Sequence, residues 1–303
     1  MVGGSHSGLG VAHSFLKHTY PILKTSQPSV KYQVHLIEPS THYWWRIAAP
    51  RSIISVTEMP HDKTFLPIAD GFKQYEAGSF VFHQAKATSL DTSARSITMK
   101  SGVEGSEQTI RYHALVIATG TTTPTPLTSL HGAHTNSISA LDEMNKRLLT
   151  ATTIVIGGGG PVAVETAGEI GEKLNGRAGW FKSHPDAAKA KITLVTSSDK
   201  LLPILPKGYS TKAEKFLNRV GVDVVYGTKV EKADLSDADA RYMSADGEFP
   251  YGSSGTDKSI VHLSNGGKLT ADIYFPAIGT KPNTAFLPKD VLDTKENVKV
   301  DKQ

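Results

Sequence analysis

Two short glycine-rich turns hold the residues whose types and spacing suit chemistry. The first, Gly3-Gly4-Ser5-His6-Ser7-Gly8, stands at the N-terminus. The second, Gly158-Gly159-Gly160-Pro161-Val162-Ala163, follows the apolar run Thr153-Ile154-Val155-Ile156. Between a strand and a helix, such a turn aims backbone N–H groups and the positive end of the helix dipole at a diphosphate. Each turn opens a stretch of helical periodicity, and each is followed by a second apolar strand, at 32–37 and at 191–195. Two dinucleotide sites on one chain point to a hydride passed between them, so redox chemistry is the leading reading.

In the first turn, Gly3 makes the bend, and Gly8 lets the helix pack tightly on the sheet. Ser5 holds the place where glycine is usual, and its small side chain still permits close approach. Leu9, Val11, Ala12, Phe15 and Leu16 have helical apolar spacing. The strand at 32–37 ends at Glu38, where a carboxylate can accept ribose hydroxyl protons. A generic strand–helix turn is the alternative. Arg51 is either a pyrophosphate ligand, for which its planar guanidinium is suited, or a surface arginine. Tyr43, Trp44 and Trp45 read as packing residues ahead of a cofactor wall, and His6 and His42 receive no chemistry of their own.

In the second unit Gly158, Gly160 and Ala163 hold the three turn positions, and alanine at the third opens the helix–strand contact slightly. Val164, Ala167, Ile170 and Leu174 have inward helical spacing. The strand at 191–195 ends in Thr196-Ser197-Ser198 with no acid there. The hydroxyls and Lys200 tolerate a 2′-phosphate, so the expected nucleotide is NAD(P)H, leaning to NADPH. A helix is expected over 211–220 and a strand over 222–226, and the polar stretch 236–258 reads as a loop or hairpin insertion.

Length and composition frame these sites. A chain of 303 residues makes about two domains. Apolar content of 39% and charged content of 20% suit a soluble globular protein. The charge of +4 is spread without blocks, so no nucleic-acid partner is expected. The absence of cysteine removes structural disulfides, thiolate metal sites and a redox-disulfide relay; no metal is expected. No apolar run reaches the roughly 18 residues of a membrane span, and no signal peptide is visible. The expected location is the cytoplasm, with the mitochondrion or a membrane surface as alternatives. Oligomeric state has no signal.

The sequence resembles the apoptosis-inducing-factor-like flavoproteins, fungal members especially, within the pyridine nucleotide-disulfide oxidoreductase superfamily. The resemblance rests on Gly3 through Gly8, Leu36-Ile37-Glu38-Pro39 and Ile47-Ala48-Ala49-Pro50-Arg51. It continues through the Ala118-Thr119-Gly120 strand end, the second glycine turn and Ala271 through Thr284. It implies an α/β fold of two Rossmann-like three-layer domains, the second inserted into the first. Residues 1–125 and 276–303 would bind FAD, and 126–275 would bind NAD(P)H. Gly3, Gly4, Ser5, His6, Ser7 and Arg51 would hold FAD phosphates and Glu38 its ribose. Ala85 would meet the adenine, and Ala118, Thr119 and Gly120 would line the cofactor's middle. Glu165 would orient the nicotinamide carboxamide; a carboxylate favoured simply by the helix dipole is the competing reading.

Two departures from the family pattern stand out. Only Met1 and Val2 precede the first turn, where a central strand is expected, and its loss would leave two inner edges unpaired. No Gly-Asp motif is reached before Gln303. A chain of this length is therefore expected to hold FAD poorly. The functional readings are an FAD-dependent NAD(P)H oxidoreductase with a quinone-like or small organic acceptor, a tailoring oxidoreductase of fungal secondary metabolism, and a truncated, non-catalytic nucleotide-binding protein.

Overall fold

The computed structural model describes residues 1–101, 105–243 and 251–301. Residues 244–250 of the stretch read as an insertion, and Gln303, lie outside them. The chain opens with α1 (His6–Ser14), which runs on through a π turn to Ser26. Gly8, Ala12 and Leu16, spaced by four, form its buried stripe, which turns Val11 outward despite its apolar character.

The first sheet contains β1 (Val34–Glu38), then, after the short helix α2 (Ala49–Ile54), β2 (Phe80–Asp91), β3 (Ser96–Ser101) and β4 (Glu107–Arg111). Strand β1 runs parallel to β2, and β2, β3 and β4 form an antiparallel meander. In place of a central strand there are only isolated bridges at Val2, but the edges expected to be unpaired are paired beside the turn: Val2 N–H donates to Val116 O (2.9 Å), Ala118 N–H to Val2 O (2.8 Å), Ile37 N–H to Met1 O (2.9 Å) and Gly3 N–H to Ile37 O (3.1 Å). Beside the turn both inner edges are therefore paired, and Val2 is buried with Ile37, Ala85 and Met99.

The second sheet is parallel. Helix α3 (His134–Leu148) leads into β5 (Thr153–Gly157), α4 (Pro161–Asn175), β6 (Lys191–Val195), α5 (Lys207–Arg219) and β7 (Val222–Val225). The strands β8 (Val230–Leu235), β9 (Tyr251–Ser253), β10 (Ser259–Leu263) and β11 (Lys268–Ala271) follow, with the short helix α6 (Asp237–Ala240) after β8, and then β12 (Ile273–Pro276); β10 runs antiparallel to β8 and β11, and β9 runs parallel to β8. The parallel order is β7-β6-β5-β12. Its strands are nearly continuous apolar runs because both faces are covered. Ile154, Ile156, Ile192 and Leu194 face Leu141, Met144, Ala167 and Ile170 of α3 and α4. Val155, Val195 and Tyr274 face Val230, Leu235 and Val261 of β8 and β10. The third layer is thus a small mixed sheet, mostly antiparallel.

A buried ionic group fastens that layer to α3. One oxygen of Asp239 forms an ion pair with Arg147 Nη2 at 2.7 Å, while that nitrogen donates to the Asp272 carbonyl. The other oxygen of Asp239 accepts Ser259 Oγ–H at 2.5 Å and Tyr274 N–H at 2.9 Å.

Candidate functional site

Strand order reverses between β5 and β12, which is where open α/β sheets bind ligands. The second glycine turn sits there. Gly158 has φ +124°, and a Cβ on it would collide with the carbonyl oxygen of Ala277. Its N–H donates to Val195 O (2.7 Å), and Leu202 N–H donates to Gly159 O (2.8 Å), so the segment after β6 folds over the turn. Gly160 is the N-cap of α4, with ordinary φ −81° and ψ −179° and open space where its Cβ would lie. No side chain caps this helix, and no acid stands in its first turn. Its first amides are therefore available to an anion. Ala163 is fully buried beneath the turn, and Glu165 lies exposed farther along α4.

The hydroxyls at the end of β6 are partly committed to the fold. Thr196 is buried against Gly159, and its Oγ1 accepts Ser198 N–H at 3.2 Å. Lys200, expected to face a 2′-phosphate, instead donates to Leu205 O at 2.9 Å.

The first turn repeats the design. Gly3 has φ +104°, and a Cβ there would strike the Ala118 carbonyl. A Cβ on Gly8 would strike the Gly3 carbonyl, so α1 lies directly on the turn. Ser5 is the N-cap at φ −108° and ψ −165°, without a side-chain cap bond, and the first turn of α1, which includes His6 and Ser7, holds no acid. Glu38 closes β1 with its carboxylate over the turn: Oε2 accepts Gly4 N–H at 2.6 Å and Oε1 accepts Ser40 N–H at 3.3 Å. Burial pushes its carboxyl above the usual range, and those two amides only partly offset this. A ribose diol would supply further donors to that desolvated carboxylate.

A cleft of about 820 Å³ opens beside this turn. It brings together Gly3, Glu38, Ala85 and Thr119. Ala85 is placed by the parallel register that sets Glu38 opposite Gln84. Ala118 and Gly120 flank the lining, and Asn283 latches this segment to the returning chain. Asn283 Nδ2 donates to Thr119 O (2.9 Å), its N–H donates to Gly120 O (3.0 Å), and Thr122 Oγ1 donates to its Oδ1 (2.7 Å). The residues present therefore fit a dinucleotide at each turn: a first glycine with no room for a Cβ, an acid-free helix start, and beside the first turn a cleft.

Arg51 is not brought to this cleft. It sits on α2, which packs between α3 and α4, and its Nη2 pairs with Glu169 of α4 at 2.7 Å. Lys173 of α4 pairs with Glu58 at 2.9 Å, so the two ion pairs clip this excursion to the second unit. The surface reading of Arg51, left open by its residue type, is the one its geometry matches. The sequence singled out neither Asn283 as a latch nor the opposite cleft wall, Asn136, Ser139, Arg241 and Tyr242. An asparagine two residues after Lys281 carries no local signal; its partners are on the order of 160 positions away in sequence.

Comparison with known proteins agrees with this geometry. A family model described as pyridine nucleotide-disulphide oxidoreductase matches residues 1–303. The chain is 40% identical over 301 residues to Oxidoreductase phnG of Penicillium herquei, covering 99% of this chain and 69% of that protein. It is 32% identical over 303 residues to Oxidoreductase ptaL of Pestalotiopsis fici, covering 99% and 71%. It is 28% identical to the FAD-dependent oxidoreductase FVFD30 of Flammulina velutipes, covering 82% and 66%. The sulfide:quinone oxidoreductase of Aquifex aeolicus shares the fold, with a TM-score of 0.65 at 18% identity over 98% of this chain and 62% of that one.

Proposed function

The chain belongs to the pyridine nucleotide-disulphide oxidoreductase family, and from that premise we propose that it is an FAD-dependent enzyme oxidising NAD(P)H and reducing a small organic molecule, in a tailoring step of fungal secondary metabolism. The observation that carries this reading is the pair of acid-free helix starts, each behind a turn whose first glycine has no room for a Cβ, one beside a cleft lined by Glu38. Residues 1–125 and 276–303 form the FAD unit in this reading, and 126–275 form the NAD(P)H unit. The amides of Gly3 to Ser7 hold the flavin nucleotide's diphosphate, Glu38 its ribose, and the backbone at Ala85 its adenine. Gly158 to Gly160 and the start of α4 hold the nicotinamide nucleotide, and Glu165 orients its carboxamide.

Bound FAD supplies the two-electron acceptor for the nicotinamide's hydride. The protein's part is to fix both nucleotides and to complete the chemistry without a thiol, since the chain has no cysteine. Kinship to two fungal oxidoreductases at 40% and 32% identity supports this reading.

The test is a titration of the purified chain with FAD, followed under argon by NADH or NADPH while the flavin absorbance is recorded. Loss of that absorbance supports the enzyme. Nucleotide binding with no FAD bound at saturating concentrations would overturn it in favour of a non-catalytic nucleotide-binding protein.

A further inference from the structure

The largest apolar side chains left in water stand far from both glycine turns. Trp180 and Phe181 are the two central residues of a turn closed by Lys182 N–H on Gly179 O at 3.0 Å. They are 89% and 101% exposed. The turn is anchored. Ala178 N–H donates to Arg219 O (2.7 Å) and Arg219 Nη2 donates to Ala178 O (3.1 Å), while Asn175 bonds both ways with the backbone of Ala190. That anchor holds the aromatic tip at the C-terminal end of α5. There Phe216, about one turn before Arg219, is itself 71% exposed. Lys212 and Lys215 share the outer face of α5 with it. Among the described ion pairs, neither lysine takes part; the nearby acid Asp186 is neutralised by Lys182 at 2.5 Å.

We propose that this aromatic tip and the lysine face of α5 dock the protein on an anionic lipid surface. Convexity and charge select this occupant. The centre of a protein–protein interface is depleted in lysine and matches a complementary surface. Here the aromatics protrude from a turn, with lysines beside them. Aromatic side chains at the level of lipid headgroups, with lysines beside them drawn to anionic lipid, are the chemistry of interfacial attachment. No helix among the described residues is long and apolar enough to cross a membrane, so attachment would be to one leaflet.

The placement also leaves the second glycine turn open. The Gly179–Lys182 turn joins the C-terminus of α4 to the start of β6, whereas the Gly158 turn follows the opposite end of β5. A docked molecule therefore presents its nucleotide turn to water.

The experiment is co-sedimentation of the full chain with vesicles of phosphatidylcholine alone and with vesicles of equal parts phosphatidylcholine and phosphatidylserine. Tryptophan emission and a size-exclusion profile are recorded alongside. Binding to the anionic vesicles with a blue shift is expected, and the shift should vanish in Trp180→Ser. Trp180→Ser/Phe181→Ser/Phe216→Ser should weaken binding at least about tenfold, and Lys212→Ala/Lys215→Ala by about fivefold per lysine, with melting temperature and nucleotide affinity unchanged. Equal binding of parent and triple variant overturns the proposal, as does equal binding of the parent to both vesicle types. A dimer that the triple variant loses, without lipid binding by the parent, overturns it in favour of a second copy covering the tip.

Discussion

Gly158 and Gly160 stand two residues apart, and the structure assigns them different reasons for being glycine. At Gly158 the reason is the fold. Alanine there must hold φ +124° and place a methyl against the Ala277 carbonyl. Backbone strain of about 1–3 kcal/mol and overpacking of about 1–3 kcal/mol add to about 2–6 kcal/mol, against a total stability of about 5–15 kcal/mol. At Gly160 neither cost applies, because its backbone angles suit alanine and no atom lies within 4 Å of the added methyl. Only the weaker N-cap preference of alanine remains, about 1 kcal/mol. In the proposed function the methyl instead enters the space through which a diphosphate would reach the amides of α4. Losing one hydrogen bond to a charged group there costs about 1.5–3 kcal/mol, which is about ten- to a hundredfold in Kd. The assay pairs urea unfolding with fluorescence titration of NADH and NADPH on each variant. Gly158→Ala should be strongly destabilised. Gly160→Ala should unfold near the parent midpoint and bind both nucleotides at least about tenfold more weakly. A Gly160→Ala protein that binds them like the parent would falsify the assignment of this turn to a diphosphate.

Three further outcomes follow from named contacts. Asp239→Asn leaves the half-closed Arg147 without its charge partner, and unfolding free energy should fall by about 3–5 kcal/mol in urea; a fall below about 1 kcal/mol would make the network dispensable. Burial favours the neutral form of the Asp272 carboxyl, but Lys258 and the amides and hydroxyls of Thr152 and Thr153 prevail and hold it well below the usual carboxylate range. Its stabilising contribution is whole above the unfolded value near about 3.9 and is lost as pH falls through the folded value. Asp272→Asn should therefore lower stability at neutral pH and converge with the parent in acid, as read by unfolding curves across that window; a constant offset at every pH would refute the linkage. Arg51→Ala removes a largely exposed ion pair, so stability should change by less than about 1 kcal/mol with FAD affinity unchanged; a marked fall in FAD affinity, measured by flavin fluorescence, would restore Arg51 as a phosphate ligand.

What the sequence made legible was whatever its period and turn chemistry express locally. Strands β5 and β6 are mostly apolar runs ahead of a glycine turn and a hydroxyl cluster, and the observed strands begin where those runs do. Both helix starts follow from the turns themselves. The small mixed sheet was not legible, because its alternation is interrupted. A register shift between Val230 and Lys232 breaks the period of β8. In β10 an inward position is Ser259, polar because it bonds Asp239. The Met1–Gly3 pairing is too short for any periodicity to register, and it is visible only through its bonds to Ile37, Val116 and Ala118. For Arg51, the deciding partner Glu169 is 118 residues away.

The two turns also distribute their glycines differently, and the packing beneath each accounts for the pattern. In the first, the third position must be Gly8, because the Gly3 carbonyl occupies the space of any Cβ. Helix α1 therefore sits close on its strand, and the N-cap carries the side chain of Ser5. In the second, the third position is Ala163, whose methyl is buried between helix and sheet, and the N-cap is Gly160, bare. Each six-residue turn holds three glycines, so their number does not tell the turns apart. Their positions do: in the first the bare position lies under the helix and the N-cap carries a side chain, and in the second the methyl lies under the helix and the N-cap is bare.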